Sequence, residues 1–252
     1  MANQTFRVVI PARYQSSRLP GKVLLDLAGK SMVQWVWERA SASGAEDVVI
    51  ATDSKKVADV ARAFGADVCM TSSECQSGTD RVAEVCRVRE WGNEIPVVNV
   101  QGDAPLIPPS SIQKVAALLL DNPDASMATL CVSIDSESDY HDPNVVKVVF
   151  DVSGRAIYFS RSPVPAQAHG GSDNKAAWQQ SWRHLGLYAY RPDALQVLSV
   201  TAPCELEQLE RLEQLRALWL GMDILIAPDP QAHGPDVDTE ADLKRVAALL
   251  KS

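Results

Sequence analysis

The sequence predicts an α/β fold in which a mostly parallel sheet carries helices on both faces. Three observations lead there. Short β-branched runs alternate with segments of helical spacing from residue 6 to residue 120, the β-α-β-α-β-α-β-α order that crossover connections between parallel strands produce. The runs FRVVI at 6–10 and IPVVNV at 95–100 are almost continuously apolar, as strands buried on both faces are. The composition, 46% hydrophobic and 22% charged over 252 residues, is that of an ordinary globular chain with material for one large domain or two small ones.

Each element has a local reason. Residues 6–10 form a strand that Pro11 ends. In 31–43, Met32, Val33, Val36, Trp37 and Ala40 fall at helical spacing behind Ser31, a possible cap. Residues 48–51 are a second strand. Asp53 or Ser54 caps a helix that runs to Phe64 and stops at Gly65. Residues 66–70, a helix near 78–90, the strand at 95–100 and a helix over 110–120 complete the alternation. The second half is less regular. Strands are expected at 127–134, 145–151, 156–160, 185–190 and 224–227. A polar stretch over 163–183 reads as a mobile loop, long enough to suspect function. Leu206, Leu209, Leu212, Leu215 and Leu218 read as one glutamate-rich helix, and 239–250 as a closing helix.

The charge sum, 24 − 32 = −8, leaves no overall field drawing the chain to nucleic acid or anionic membranes, so neither partner is expected. No apolar run approaches the ~18 residues of a membrane span. The N-terminus lacks a charged segment followed by an apolar one, so no signal peptide is expected. Five cysteines, at 69, 75, 86, 131 and 204, show no CxxC spacing and an odd count. They predict reduced thiols and a cytoplasmic protein.

In open sheets of this kind ligands bind beyond the carboxyl ends of the strands, which points first to the loops after 6–10 and 95–100. The first reads PARYQSSRLPGK from Pro11 to Lys22. Arg13, Arg18 and Lys22, interleaved with serines and a Pro-Gly turn, offer guanidinium forks, an ammonium and hydroxyls to a polyanion. The loop is neither a Walker A loop nor GxGxxG, and a solvated basic turn is the plainer reading. The second loop reads NVQGDAPL. Asp103 on its glycine turn is placed to hold a divalent metal through oxygen, or merely to brace the turn. Asp238 precedes the closing helix and is either a cap or a second carboxylate for that metal. QSGTDR at 76–81 starts a helix whose N–H groups and hydroxyls suit a base or an anion, and equally a plain helix start. On the strand RHLGLYAY, His184, Gly186, Tyr188 and Tyr190 share one face, either a polar binding face or a satisfied half-buried one. His141, His169 and His233 have no metal-ligand spacing.

Taken together, PARYQSSRLPGK, ATDS at 51–54, QSGTDR, NVQGDAPLI at 99–107, NVVKVV at 144–149, YFSR at 158–161, RHLGLYAYR at 183–191, LEQLRALW at 212–219 and VDT at 237–239 resemble, in order and spacing, the 3-deoxy-manno-octulosonate (Kdo) cytidylyltransferases, the CMP-Kdo synthetases of Gram-negative lipopolysaccharide synthesis. The resemblance runs through nearly the whole chain. It implies a Rossmann-like nucleotidyltransferase sheet formed by 1–134 and 204–252, a smaller sugar-binding and dimerisation substructure over 135–203, and a homodimer. It also implies the reaction of CTP with Kdo to give CMP-Kdo and pyrophosphate, with Mg²⁺. By the same resemblance Arg13, Arg18 and Lys22 hold the triphosphate, and Asp103 and Asp238 hold the metal. Pro11, Ala12, Gln76, Ser77 and Arg81 match the segments that contact CTP. Gln101, Arg161, His184, Tyr188 and Glu213 match the surroundings of the sugar acid, with Arg161 as the fork for its carboxylate.

Two departures stand on the sugar side. Position 104 is alanine where the family commonly has QGDEP, and Val164-Pro165-Ala166 replaces a common Pro-Trp. They open an alternative, CMP activation of a Kdo variant such as 8-amino-Kdo or of another ulosonic acid. A third reading, a binding protein that has lost the reaction, also draws on Ala104, and the joint presence of Lys22, Asp103 and Asp238 speaks against it.

Overall fold

Strand β1 (Arg7–Pro11) is the axis of the sheet. In the computed structural model, which describes residues 5–15, 19–167, 176–231 and 234–251, it pairs in parallel with β4 (Asp47–Thr52) on one side and β6 (Val97–Asn99) on the other. β5 (Asp67–Met70) continues the parallel run beyond β4. On the other side β10 (Trp182–Tyr190) enters antiparallel to β6 and to β7 (Met127–Ser133), and β11 (Ile224–Pro228) closes the edge in parallel with β7. The order is β11-β7-β10-β6-β1-β4-β5, with β8 (Lys147–Phe150) and β9 (Ala156–Ser160) branching from β10. The fold is α/β with a mostly parallel sheet, as the sequence predicts.

Alternation along β1 explains the layers, because successive side chains point to opposite faces. Val8 and Ile10 join one core with α1 (Met32–Ser41), α2 (Lys55–Ala63) and α4 (Pro109–Leu120). Val9 joins a second core with α3 (Gly78–Val88), α6 (Pro192–Val200) and α8 (Gln214–Trp219). A small hairpin of β2 (Asp26–Leu27) and β3 (Lys30–Ser31) packs with α9 (Glu240–Leu249) in a third cluster through Leu27, Met32 and Val246.

The structure corrects several expectations. The hairpin, α5 (Glu137–His141) and α6 are elements that the sequence pattern does not announce. β10 begins at Trp182, three residues before the expected 185. Of the polar stretch 163–183, residues 168–175 lie outside the described residues. Within 135–203, expected to form the smaller substructure, β8 and β9 stand off the main path of the sheet, whereas β10 lies inside it.

The single leucine helix is in fact two, α7 (Glu205–Glu210) and α8, separated by Arg211 in the left-handed region at φ 54. A buried ion pair spans the break. Arg216 donates from Nε and NH2 to the Glu207 carboxylate at 2.8 and 2.7 Å. In one continuous helix residues nine apart stand ~13.5 Å along the axis and half a turn round, out of reach. The break brings them together, and Arg216 NH1 also ties the bend to Leu198 O and Thr201 O, each at 2.7 Å.

Candidate active site

The carboxyl ends of β1 and β6 are neighbours, so the two loops singled out in the sequence meet. Gly102 is what lets them approach: a Cβ there would stand 2.9 Å from Pro11 O. Gly21, at φ 70, turns the basic loop into a short 3-10 segment, Lys22–Leu24. Lys22 Nζ then reaches Asp103 Oδ2 at 2.6 Å and Asp238 Oδ1 at 3.1 Å. The segment carrying Asp238 is tied down by a backbone bond from Val237 N to Asp103 O at 3.0 Å. Thr239, not Asp238, caps α9 through a reciprocal box with Asp242, and the Asp238 carboxylate turns to Lys22 instead. Burial works to lower the Lys22 pKa, but the charges and hydrogen bonds of Asp103 and Asp238 outweigh it and hold the ammonium above its usual 10.5.

A cavity of about 250 Å³ opens on this cluster, lined by Pro11, Arg13, Lys22, Gln76, Ser77, Arg81, Gln101 and Asp103 among others. Arg18 lies outside the described residues. Ala12 is not at the surface of the cavity: it is fully buried and extends the β1–β4 ladder, its N–H donating to Ala51 O at 2.8 Å. At the start of α3 the plain structural reading has substance. Ser77 Oγ accepts from Asp80 N at 3.1 Å, while the Asp80 carboxylate accepts from Ser77 N and Gln76 N at 3.0 and 3.2 Å. These two N–H groups are therefore already used. Arg81, 3% exposed, bonds to the Thr71 hydroxyl and pairs with Asp53 at 3.3 Å, stitching α3 to the ends of β4 and β5.

A second cavity, about 320 Å³, shares Gly78, Gln101 and Glu213 with the first. His184, Gly186, Tyr188 and Tyr190 line it from one face of β10, as the strand alternation predicts, and the break before α8 delivers Glu213 and Gln214. Thr79 Oγ1 donates to Glu213 Oε2 at 2.8 Å, yet burial holds the Glu213 pKa above its usual range. Three buried atoms around this cavity, Asn99 Oδ1, Tyr188 OH and Gln214 Nε2, find no hydrogen-bond partner among the described residues. Each such orphan costs ~1–3 kcal/mol. Asn99 and Gln214 escaped the sequence reading because an isolated amide carries no pattern.

Arg161 is not brought to these cavities. Its Nε donates to Glu210 O at 2.6 Å and its NH1 to Pro143 O at 2.9 Å, so the guanidinium clamps backbone carbonyls. The guanidinium that does line an adjoining cavity, of about 380 Å³, is Arg183, together with Ala104, Asn144 and Asp236. Much of Asp236 is exposed. Even so, loss of water around its carboxyl, and then the charges of Asp103 and Asp238, push it up to about 7.

Among the described residues no group of three or more histidine, cysteine or acidic side chains is set to enclose a metal. Asp103 and Asp238 nonetheless converge on one cation, the Lys22 ammonium. Two carboxylates suit Mg²⁺, which keeps several waters and takes its remaining ligands from substrate phosphates.

Comparison with known proteins agrees with this architecture. The cytidylyltransferase family model matches residues 7–224. A 3-deoxy-manno-octulosonate cytidylyltransferase of Thioalkalivibrio sulfidiphilus (strain HL-EbGR7) is 49% identical over 249 residues, 98% of this chain and 100% of the relative. That of Aliivibrio salmonicida (strain LFI1238) is 50% identical over 250 residues, 98% and 99% of the two chains. A solved structure of CMP:2-keto-3-deoxy-manno-octonic acid synthetase complexed with CTP superposes with a TM-score of 0.89 at 41% identity, covering 98% of each chain. A cytidylyltransferase from Leptospira borgpetersenii serovar Hardjo-bovis (strain JB197), at 14% identity and a TM-score of 0.63 over 98% and 87% of the two chains, shares the fold alone. With half of its residues identical to those of full-length relatives, the chain belongs to the 3-deoxy-manno-octulosonate cytidylyltransferase family.

Proposed function

We propose that this chain transfers the cytidylyl group of CTP to the anomeric hydroxyl of Kdo, giving CMP-Kdo and pyrophosphate. The observation that carries the reading is a pair of neighbouring cavities that share Gln101, Gly78 and Glu213 in their walls, one bordered by Lys22 and Asp103, the other by His184, Tyr188, Tyr190 and Glu213. The first suits a triphosphate and the second a polyhydroxylated acid. The shared name of the full-length relatives favours Kdo over another ulosonic acid, and Ala104 is then a tolerated variation.

The anomeric oxygen forms a bond to the α-phosphorus, the bond from that phosphorus to the β-phosphate bridging oxygen breaks in line, and the hydroxyl proton is released. Positioning and charge neutralisation supply most of the rate in such transfers. Arg13, Arg18 and Lys22 oppose the triphosphate charge, and Pro11, Gln76, Ser77 and Arg81 bound the nucleotide. Gln101, His184, Tyr188 and Glu213 bound the sugar acid. Arg161 acts at one remove, through the Pro143 and Glu210 carbonyls that it holds. Asp103 and Asp238 would hold Mg²⁺, which when bound neutralises phosphate charge and lowers the pKa of the attacking hydroxyl. Residues 135–203 supply the sugar-binding and dimerisation substructure of a cytoplasmic homodimer. Among the described residues no helix is long and apolar enough to cross a membrane.

The test is pyrophosphate release from CTP and Mg²⁺ with Kdo, 8-amino-Kdo and N-acetylneuraminate in parallel. Rapid turnover with Kdo is expected. Silence with Kdo and turnover with another acid moves the substrate, and CTP binding with no turnover on any acceptor overturns the reading.

A further inference from the structure

Thr129 lies in the middle of β7, fully buried, beneath the point where the β10–β7 register shifts between Leu185 and Tyr188. Its Oγ1 stands 3.0 Å from Leu185 O, 2.8 Å from Leu187 O and 3.1 Å from His184 Nε2. One hydroxyl thus has three polar neighbours and a single proton. Two of the neighbours are carbonyl oxygens, which only accept. If His184 Nε2 also accepted, the hydroxyl would spend its proton on the ring and turn lone pairs towards both carbonyls, a repulsion that a buried site amplifies. The arrangement of least conflict shares the Thr129 proton between the two carbonyls and makes His184 Nε2–H the donor to Oγ1.

The ring has only one proton to place. Burial pushes His184 down to about 3, so at neutral pH the imidazole is uncharged, with one N–H and one lone pair. Phe159 meets the ring edge-on at 5.0 Å between centroids and Tyr188 lies at 5.2 Å, which restrains its rotation. With Nε2 tied back into the sheet, Nδ1 is the nitrogen left for a ligand in the two cavities that His184 borders.

We propose that Thr129 is a positioning residue that locks His184 as the Nε2–H tautomer, so that Nδ1 presents a lone pair and accepts from a ligand hydroxyl while repelling a carboxylate or phosphate. The proposal rests on the acceptor-site reading above for the identity of that ligand, but not for the tautomer. It orients the acceptor: a hydroxyl of the sugar faces His184, and its carboxylate lies elsewhere.

The test is a long-range ¹H–¹⁵N correlation spectrum of the ligand-free protein at pH 7, with His184 assigned by its absence in His184→Asn. The wild type is expected to show Nε2 protonated and Nδ1 bare, Thr129→Ser to keep that signature, and Thr129→Val to show mixed tautomers. Turnover adds a second readout: Thr129→Val raises the KM for Kdo about tenfold, the scale of one hydrogen bond, and leaves the KM for CTP within about twofold, while Thr129→Ser keeps both near the wild-type values. An Nδ1–H tautomer or an imidazolium in the wild type overturns the proposal, as does a pure Nε2–H signature in Thr129→Val. The expected spectra with an unchanged KM for Kdo leave the lock intact and count against the placement of the acceptor beside His184.

Discussion

Lys22 Nζ lies 2.6 Å from Asp103 and 3.1 Å from Asp238, so one ammonium holds together both carboxylates proposed to take magnesium. A magnesium ion held by these carboxylates would compete with the lysine for them. If magnesium and triphosphate entered together, Lys22 would have phosphate oxygens to turn to, and the carboxylates would change partner. Replacing Lys22 by alanine removes the competitor from the ligand-free protein and a phosphate ligand from the loaded one. Mn²⁺ binding in the absence of nucleotide, followed by electron paramagnetic resonance, is expected to tighten in Lys22→Ala. Turnover is expected to fall at least ~100-fold, the scale of a lost transition-state charge contact. Unchanged Mn²⁺ affinity would show that the ammonium does not occupy the metal's place.

His184 gives the protein a pH dependence whose sign follows from burial. Its pKa, ordinarily 6.5, is pushed down to about 3 in the folded state by loss of water. Between those values the unfolded chain binds a proton that the folded chain does not, so stability rises with pH. The contribution is complete above pH 6.5 and is lost progressively as pH falls towards 3. Urea unfolding at pH 7.5, 6.5, 5.5 and 4.5 is expected to show a steeper acid decline in the wild type than in His184→Gln. Parallel declines would mean that His184 is not held neutral.

The first half of the fold was readable because each of its strands is short, β-branched and followed by an amphipathic helix; the edges of β1, β4 and β5 fall within a residue of expectation. That the loops of Lys22 and Asp103 face one site follows from their place at the carboxyl ends of two strands, not from periodicity: 81 positions separate the two residues, and only the sheet order brings β1 and β6 side by side. The errors have physical causes as well. Five leucines at helical spacing hide a break that an ion pair spans, since Glu207 and Arg216 look unremarkable in a charged helix. Arg161 is placed near the sugar by resemblance alone; in the structure its Nε and NH1 donate to the carbonyls of Glu210 and Pro143, contacts that no sequence pattern shows. Thr129 left no mark in the sequence, since a threonine within MATLCVS reads only as strand.

The Glu207–Arg216 pair makes the bend before α8 a point of stability. Both side chains are nearly buried, at 9% and 11% exposure, and removing one partner strands the other. Arg216→Met is expected to destabilise the chain by ~3 kcal/mol, in line with other buried pairs broken from one side. Leu209→Ala, at a residue 82% exposed, should stay within ~0.5 kcal/mol. Because the bend sets Glu213 and Gln214 at the second cavity, Arg216→Met is also expected to raise the KM for Kdo more than that for CTP. Denaturant melts and the two KM values check this together; equal stability of the two variants would remove the ion pair as a support of the bend.

Gly102 links the two loops through space that only hydrogen fills. A Cβ at 2.9 Å from Pro11 O meets backbone, which has no rotamer to yield, so the loop must move away from β1. That movement carries Asp103 from Lys22 and Gln101 from the wall shared by the cavities. Positioning errors near 1 Å cost enzymes about 100-fold, whereas the fold, whose cores lie on either side of the sheet, is little disturbed. Gly102→Ala is therefore expected to unfold within ~1–2 kcal/mol of the wild type and to lose about 100-fold in turnover. Gly92→Ala, in the exposed turn after α3, serves as the control. Its added Cβ meets only the movable Glu94 carboxylate, and activity is expected to be retained. If Gly102→Ala kept full turnover, the close approach of the loops would not be what aligns Asp103 with Lys22.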